Sequence, residues 1–415
     1  MGLGRRGAGR ELPEVLLQMP HAELLARAAR HQMAQGGTAT PEYESFLRFA
    51  ARAADVVGAA GGGVEAEAEA VVGVVARAMG RVRRVRALRA AEAEALLVEG
   101  EGTPVVVEDG MRGWDRAALT PSALAERTGD ALVLANDRAP ARRADSRPGA
   151  SRTGARKQRT VQLPLREYVD YTADLPGFEA LAAGGGVEHR DRAPFYLNGW
   201  RAFSDGEVPS AASLRAACPQ PYFTAAIDHN DEILAEMGRL VFGAGEAKPG
   251  AVSADAWAET TGHGLQKIFM SPAGAITRLH YDCHDAHAWL GQAHGRKLFV
   301  CYPPSDTPYL GRLDGEPETA QAAVDPLEEE MATLRRTPEY SSARPHAFVL
   351  HPGEVVLVPR GWWHYAVSLD QSVTVMKNFY HKGTNLESMI RMLVQAGRES
   401  KGRQPKQEVG AEGPV

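Results

Sequence analysis

Residues Arg278–Trp289 read RLHYDCHDAHAW, three histidines, two aspartates and one cysteine in twelve positions. Side chains on a strand alternate between its faces with a period of two. In a strand AITRLHYD (275–282) His280 and Asp282 therefore point the same way. A neutral imidazole beside a carboxylate supplies two adjacent metal ligands, and a third must come from elsewhere. The best candidate is His364 in HPGEVVLVPRGWWHYAV (351–367), where Gly353, Pro359 and Gly361 set turns and His364 opens a new strand. His284 shares the parity of His280, but the strand is expected to end near Cys283. His287 and Cys283 have the opposite parity. These three read as surface, core or outer-sphere residues.

Two histidines and one carboxylate on one face of a metal leave three positions open, the facial arrangement of non-haem Fe(II) oxygenases. Zinc sites more often take three or four His or Cys ligands, and no such set is evident. A bidentate 2-oxo acid could fill two of the open positions, and its far carboxylate would need a cation. Lys297, just past the Gly295–Arg296 turn in AHGRKLFVCYPP (293–304), has the reach and a compact charge. Thr277 could add a hydroxyl, although ideal alternation puts it on the face opposite His280, so a bulge is required.

Outward from this stretch the pattern is β-rich. After about residue 264, GLQKIFM, HAWLGQA, KLFVCYP, AFVLH, EVVLVP, HYAVSL and SVTVMKNFY are short candidate strands punctuated by Gly, Pro or Asp. Many short strands with regular turns predict a sandwich or barrel. Val105–Val107 reads as a buried strand. Residues 1–99 are rich in Ala, Leu, Arg and Glu and are expected to be helical, including the run through Val82, Val85 and Leu88 with its solvated basic face. Residues 138–159, polar, basic and rich in Pro, Gly and Ser, are expected to be a disordered loop. A closing helix is expected over 383–397, with Thr384 and Glu387 as a capping box, and a disordered tail over 398–415.

The formal charge of −5 predicts no bulk attraction to nucleic acid, leaving the basic loop 138–159 as the one place for such a contact. Three cysteines, Cys218, Cys283 and Cys301, are too few and too spread for a disulfide framework and suit a reducing, cytoplasmic or nuclear compartment. No apolar run is long enough to span a membrane, and no secretory leader is evident.

Four pieces together resemble the JmjC, or cupin-like, family of Fe(II)/2-oxoglutarate dioxygenases. KIFMSPAGAITRLHYD resembles the family's strand pair ending in HxD. AWLGQAHGRKLFVCYPP resembles the segment with the co-substrate lysine, PGEVVLVPRGWWH the second cupin motif, and SVTVMKNFY the strand after it. TPVVVEDGMRGW, REYVDY and PFYLNGW resemble its N-terminal part, so the likeness spans about residues 100–382. It implies an α+β fold, a double-stranded β-helix (jelly-roll) barrel with flanking helices. It implies iron on His280, Asp282 and His364, with dioxygen at the last open position. It pairs Lys297 with the 2-oxoglutarate C5 carboxylate, puts Thr277 and Tyr196 beside it, and makes Asn378 a polar residue lining the pocket. Leu290 departs from an asparagine that many members carry after the preceding tryptophan. The implied substrate is a protein side chain, hydroxylated rather than N-demethylated, since no Cys/His reader cluster accompanies the domain. A small molecule or RNA base is the alternative substrate. A non-catalytic cupin-fold binding protein is the rival of another class, and a zinc or manganese cupin isomerase or hydrolase a third. The closing helix is expected to pack on its own domain, with a homodimer as the alternative.

Overall fold

The computed structural model describes residues 40–60, 64–75, 80–98, 102–137, 159–183, 193–204, 210–242, 253–312 and 321–391, and the single positions 30, 33, 208, 393 and 394. The basic segment 138–159, apart from Arg159, and the tail 398–415 lie outside them, as do residues 1–29.

Fourteen strands are present among the described residues: β1 Gly80–Arg81, β2 Arg83–Val85, β3 Val105–Val107, β4 Leu132–Asp137, β5 Arg159–Pro164, β6 Tyr196–Trp200, β7 Gln266–Ser271, β8 Ile276–His280, β9 His287–His294, β10 Lys297–Tyr302, β11 His346–Leu350, β12 Val355–Val358, β13 Trp363–Ser368 and β14 Ser372–Phe379. They form a five-stranded sheet, β1-β11-β10-β13-β8, and a nine-stranded sheet, β2-β3-β12-β9-β14-β7-β6-β4-β5. From β7 on, the chain passes back and forth between them: β7, β9, β12 and β14 lie in the larger sheet, β8, β10, β11 and β13 in the smaller. Neighbours within each of these sets of four are antiparallel. Among the described residues the strands therefore pair as two sheets, with no closed barrel, where the sequence left a sandwich or a barrel open.

Alternation along the strands sorts the core. Phe299, Cys301, Phe348 and Leu350 of the smaller sheet meet Val106, Val356 and Val358 of the larger in a shared interior. The intervening Leu298, Val300, Tyr302, Trp363, Tyr365 and Val367 face outward. There they are covered by α1 (Pro41–Ala60) and α2 (Val64–Val74). Helix α1 begins where Thr40 Oγ1 accepts from the Tyr43 N–H at 3.1 Å, with Pro41 at the first helical position. Its Phe46, Phe49, Ala50 and Ala53, at i, i+3, i+4 and i+7, are fully buried. Burying each phenylalanine contributes about 1.5–3 kcal/mol.

The structure departs from the expected helix over residues 80–85. Gly80–Arg81 pairs with β11 in the smaller sheet and Arg83–Val85 with β3 in the larger, both in parallel. Val82 between them enters the shared interior. A Cβ on Gly80 would lie 2.2 Å from His346 Nδ1, so any larger residue there would have to displace the His346 ring. The three-residue recurrence of Val82, Val85 and Leu88 comes from a chain stepping between two sheets. Two of the three arginines between them are paired: Arg84 with Glu354, and Arg86 with Glu108 at 2.8 Å. At the other end residues 386–391 are helical. Thr384 lies on His287 and Glu387 on Arg391 instead of closing a reciprocal cap.

Candidate metal centre

Strands β8 and β13 run side by side with His280 opposite His364, and their ring centroids are 4.3 Å apart. Asp282 lies two residues past His280, just beyond the strand, and turns back to the pair. Its Oδ1 is 3.8 Å from His280 Nε2 and 3.9 Å from His364 Nε2. One donor atom from each of the three residues lies within 4.8 Å of the other two. His364 is buried, with a side chain 6% exposed, while those of His280 and Asp282 are 19% and 14% exposed. The site thus has a buried floor and an accessible side.

Each side chain is held from behind. His280 Nδ1 is 2.7 Å from the Arg278 carbonyl and His364 Nδ1 is 3.1 Å from the Trp362 carbonyl. A ring nitrogen facing a carbonyl oxygen carries the proton, so Nε2 is the ring atom that both histidines turn toward the aspartate. Asn378 Nδ2 donates to Asp282 Oδ2 at 3.0 Å, so Oδ1 is the oxygen presented. This donor set suits an octahedral divalent ion, whose adjacent ligand atoms stand about 3 Å apart at metal–ligand distances near 2.1 Å. Separations of 3.8 and 3.9 Å require the donors to draw in by under an ångström.

The chain leaves the site through a strained turn. His284 and Asp285 have φ of 54° and 57°, the left-handed region that side chains rarely adopt. Arg360 Nη1 to Asp285 Oδ2 at 2.6 Å and Asn385 Nδ2 to the Asp285 carbonyl at 2.8 Å hold it. His284 is only partly buried and stands outside the three-residue cluster. His287 is fully buried. Its Nδ1 accepts from the Arg360 N–H at 3.0 Å, and its Nε2 is 2.9 Å from Thr384 Oγ1. Burial above all, then the charge of Arg360, pushes its ring down to about 3, so it is a neutral core histidine.

Lys297 lies on the same face of β10 as Phe299 and Cys301, and Cys301 is opposite His364. The lysine Cα is therefore roughly 13 Å along the strand from the metal cluster, at about 3.3 Å per residue. Its side chain is buried, and its ammonium is 3.5 Å from the Tyr196 hydroxyl and 5.4 Å from that ring's centre. Among the described residues it makes no ion pair. Buried charges are normally paired, so this one points to an anion from outside the chain.

Thr277 joins the same group, with its Oγ1 3.4 Å from the Tyr196 hydroxyl. The register explains how. His364 faces His280, but Ala366, two residues on, faces Thr277, three residues back. That bulge carries Thr277 to the interior against simple alternation. Leu290 is half-buried and packs against the shared interior between the sheets. Six predicted residues thus form two clusters, and Asn378 stands behind the aspartate instead of merely lining the pocket.

A scaffold of two facing, mainly antiparallel sheets with this His–Asp–His cluster between them defines the class. The chain belongs to the cupin-like domain family, whose model matches residues 91–385. Over 135 residues it is 35% identical to the HSPB1-associated protein 1 of Rattus norvegicus, which covers 31% of this chain and 27% of that protein. It is 30% identical over 128 residues to the arginine-specific demethylase JMJ22 of Arabidopsis thaliana, covering 30% of this chain and 25% of that one. It is also 26% identical over 126 residues to the 2-oxoglutarate and iron-dependent oxygenase JMJD4 of Danio rerio, covering 30% and 29%. The matches thus span between a quarter and three-tenths of these curated relatives.

Proposed function

We propose that the chain is an Fe(II)- and 2-oxoglutarate-dependent dioxygenase acting on a protein side chain, with hydroxylation as its reaction. The observation that carries this is the pairing of two features in one interior: a His280–Asp282–His364 donor set and a buried ammonium, Lys297, with no ion pair among the described residues. The finer fold we propose is the double-stranded β-helix, supported by the alternation of β7–β14 between the sheets.

When bound, iron(II) with 2-oxoglutarate supplies the oxidation of a C–H bond by dioxygen, with release of CO2 and succinate. His280 and His364 would hold the metal through Nε2 and Asp282 through Oδ1. Lys297, Tyr196 and Thr277 would take the far carboxylate, fixing which end of the diacid faces the ligands. The less buried side at His280 and Asp282 is where a substrate segment would enter. The names of the relatives support the assignment: one is an iron- and 2-oxoglutarate-dependent oxygenase, and others are called HSPB1-associated, which favours a protein partner. The relative named an arginine-specific demethylase favours a second reading, removal of an N-methyl group through the same C–H oxidation.

The test is succinate release by the purified chain. It should require both added iron and 2-oxoglutarate and vanish in His364→Ala. A folded, metal-loaded chain that consumes no 2-oxoglutarate, with or without peptides, would refute the proposal. Product mass separates the two readings: a gain of one oxygen marks hydroxylation, a loss of CH2 demethylation.

A further inference from the structure

Helix α1 lies outside the matched cupin-like region, yet it reaches the back of the metal centre. Glu42, in its first turn, has Oε1 2.9 Å from Arg278 Nη2, and both side chains are mostly buried, at 14% and 15% exposure. Arg278 lies in the β8–β13 bulge, between the paired residues Thr277 and His280. Bulge residues are released from the regular ladder, so other groups must orient their backbone. The Leu279 carbonyl is taken by the Ala322 N–H at 3.0 Å. The Arg278 carbonyl faces His280 Nδ1 at 2.7 Å, and the Arg278 side chain is anchored on α1. Its Nη1 is buried without a hydrogen-bond partner; among the described residues Glu42 is the carboxylate in ion-pair contact with the guanidinium, and the Asp325 carboxyl acts on it only through space. If Glu42 were absent, a mostly buried arginine would lack its ion pair, and the backbone that aims His280 would be free to move with it.

We infer that Glu42 is a positioning residue for the metal centre: through Arg278 it holds the bulge that aims His280 at the metal and turns Thr277 inward. This rests on the reading of His280, Asp282 and His364 as metal ligands. It makes α1 part of the site and not an appendage.

The test uses the full chain and Co(II) alone, followed by calorimetric titration and by the ligand-field spectrum, which reports how many imidazoles bind. Glu42→Ala should weaken Co(II) binding about tenfold, the lower end for loss of a partner behind a metal ligand, and alter the spectrum well below the melting temperature. Affinity for 2-oxoglutarate in the Co(II)-loaded variant should fall as well, because Thr277 shares the bulge. Glu44→Ala, on the same helix but with a side chain 55% exposed, should leave both unchanged. Arg278→Met removes the ion pair from its other end, leaving the Glu42 carboxylate without its partner, so it serves if Glu42→Ala does not fold, and it should weaken Co(II) binding similarly. Wild-type affinity and spectrum in a folded Arg278→Met or Glu42→Ala protein would overturn the inference while leaving the metal centre intact. No Co(II) binding by the wild type would overturn both.

Discussion

Replacing Lys297 by methionine keeps most of the stem's bulk and removes the charge, and two effects of opposite sign should follow. The ammonium sits in a residue 4% exposed, with the Tyr196 hydroxyl at 3.5 Å and no carboxylate among the described residues. The ligand-free protein therefore bears the desolvation of a charge with only the Tyr196 hydroxyl and ring to offset it. Exchanging buried charge for apolar groups of like volume stabilises proteins by up to about 1–4 kcal/mol, so ligand-free Lys297→Met should melt a few degrees above the wild type. An ordinary core substitution does the reverse. The same change removes a charge-assisted hydrogen bond to the 2-oxoglutarate carboxylate, worth about 1.5–3 kcal/mol. At about 1.4 kcal/mol per decade, Kd should rise roughly ten- to a hundredfold. Melting curves of both proteins in Mn(II), titrated with 2-oxoglutarate, read the two quantities together. A ligand-free variant that melts below the wild type, or one that keeps the wild-type response to 2-oxoglutarate, would refute Lys297 as the co-substrate's counter-charge.

Three further outcomes are expected. Asn378→Ala frees Asp282 Oδ2 and should weaken Co(II) binding about tenfold with little change in melting temperature; unchanged binding would show that the 3.0 Å contact does not orient the aspartate. The Asp325 carboxyl is pushed up to about 6, chiefly by its burial, from about 3.9 in an unfolded chain. Between those values the unfolded chain ionises while the folded one resists, so this contribution is full below pH about 4 and is lost as the pH rises to about 6, by roughly 1–3 kcal/mol. Asp325→Asn should accordingly match the wild type in melting temperature near pH 4 and exceed it at pH 7, and a constant difference between those pH values would count against the assignment. Gly274 has φ +78°, and an added Cβ would lie 2.7 Å from Tyr43 Cε2 and 2.9 Å from Phe46 Cε1 of α1. Gly274→Ala should therefore cost about 1–3 kcal/mol in urea unfolding, and a neutral result would mean that α1 sits less tightly than described.

His280, Asp282 and His364 were legible because period-two alternation and Gly/Pro punctuation are local signals. Lys297 was legible for the same reason, as the first residue of a strand after a turn. Thr277 was not readable from alternation alone, because the bulge that turns it inward is a property of the pairing with β13. The hold of Asn378 on Asp282 joins residues 96 apart, and no local pattern carries that. Glu42 was hidden in an alanine-rich helix, where every acidic residue looks alike until the register of β8 is known. The misreading at 80–85 has a different cause. Valines spaced by three suit a helix face, and only the two partner strands, one of them more than two hundred and fifty residues away, decide otherwise.

That stepping segment has a consequence for how the molecule assembles. Arg83 meets Val105 across one short helical connection, whereas Gly80 meets His346, and distant pairings form late because closing long loops costs entropy first. During synthesis the Arg83–Val85 half of the strap can settle early, while its Gly80–Arg81 half waits for β11 to emerge. Until then Gly80–Arg81 has no strand to pair with, so the order in which the ribosome delivers these pieces, and not their final energies, governs when the small sheet is sealed.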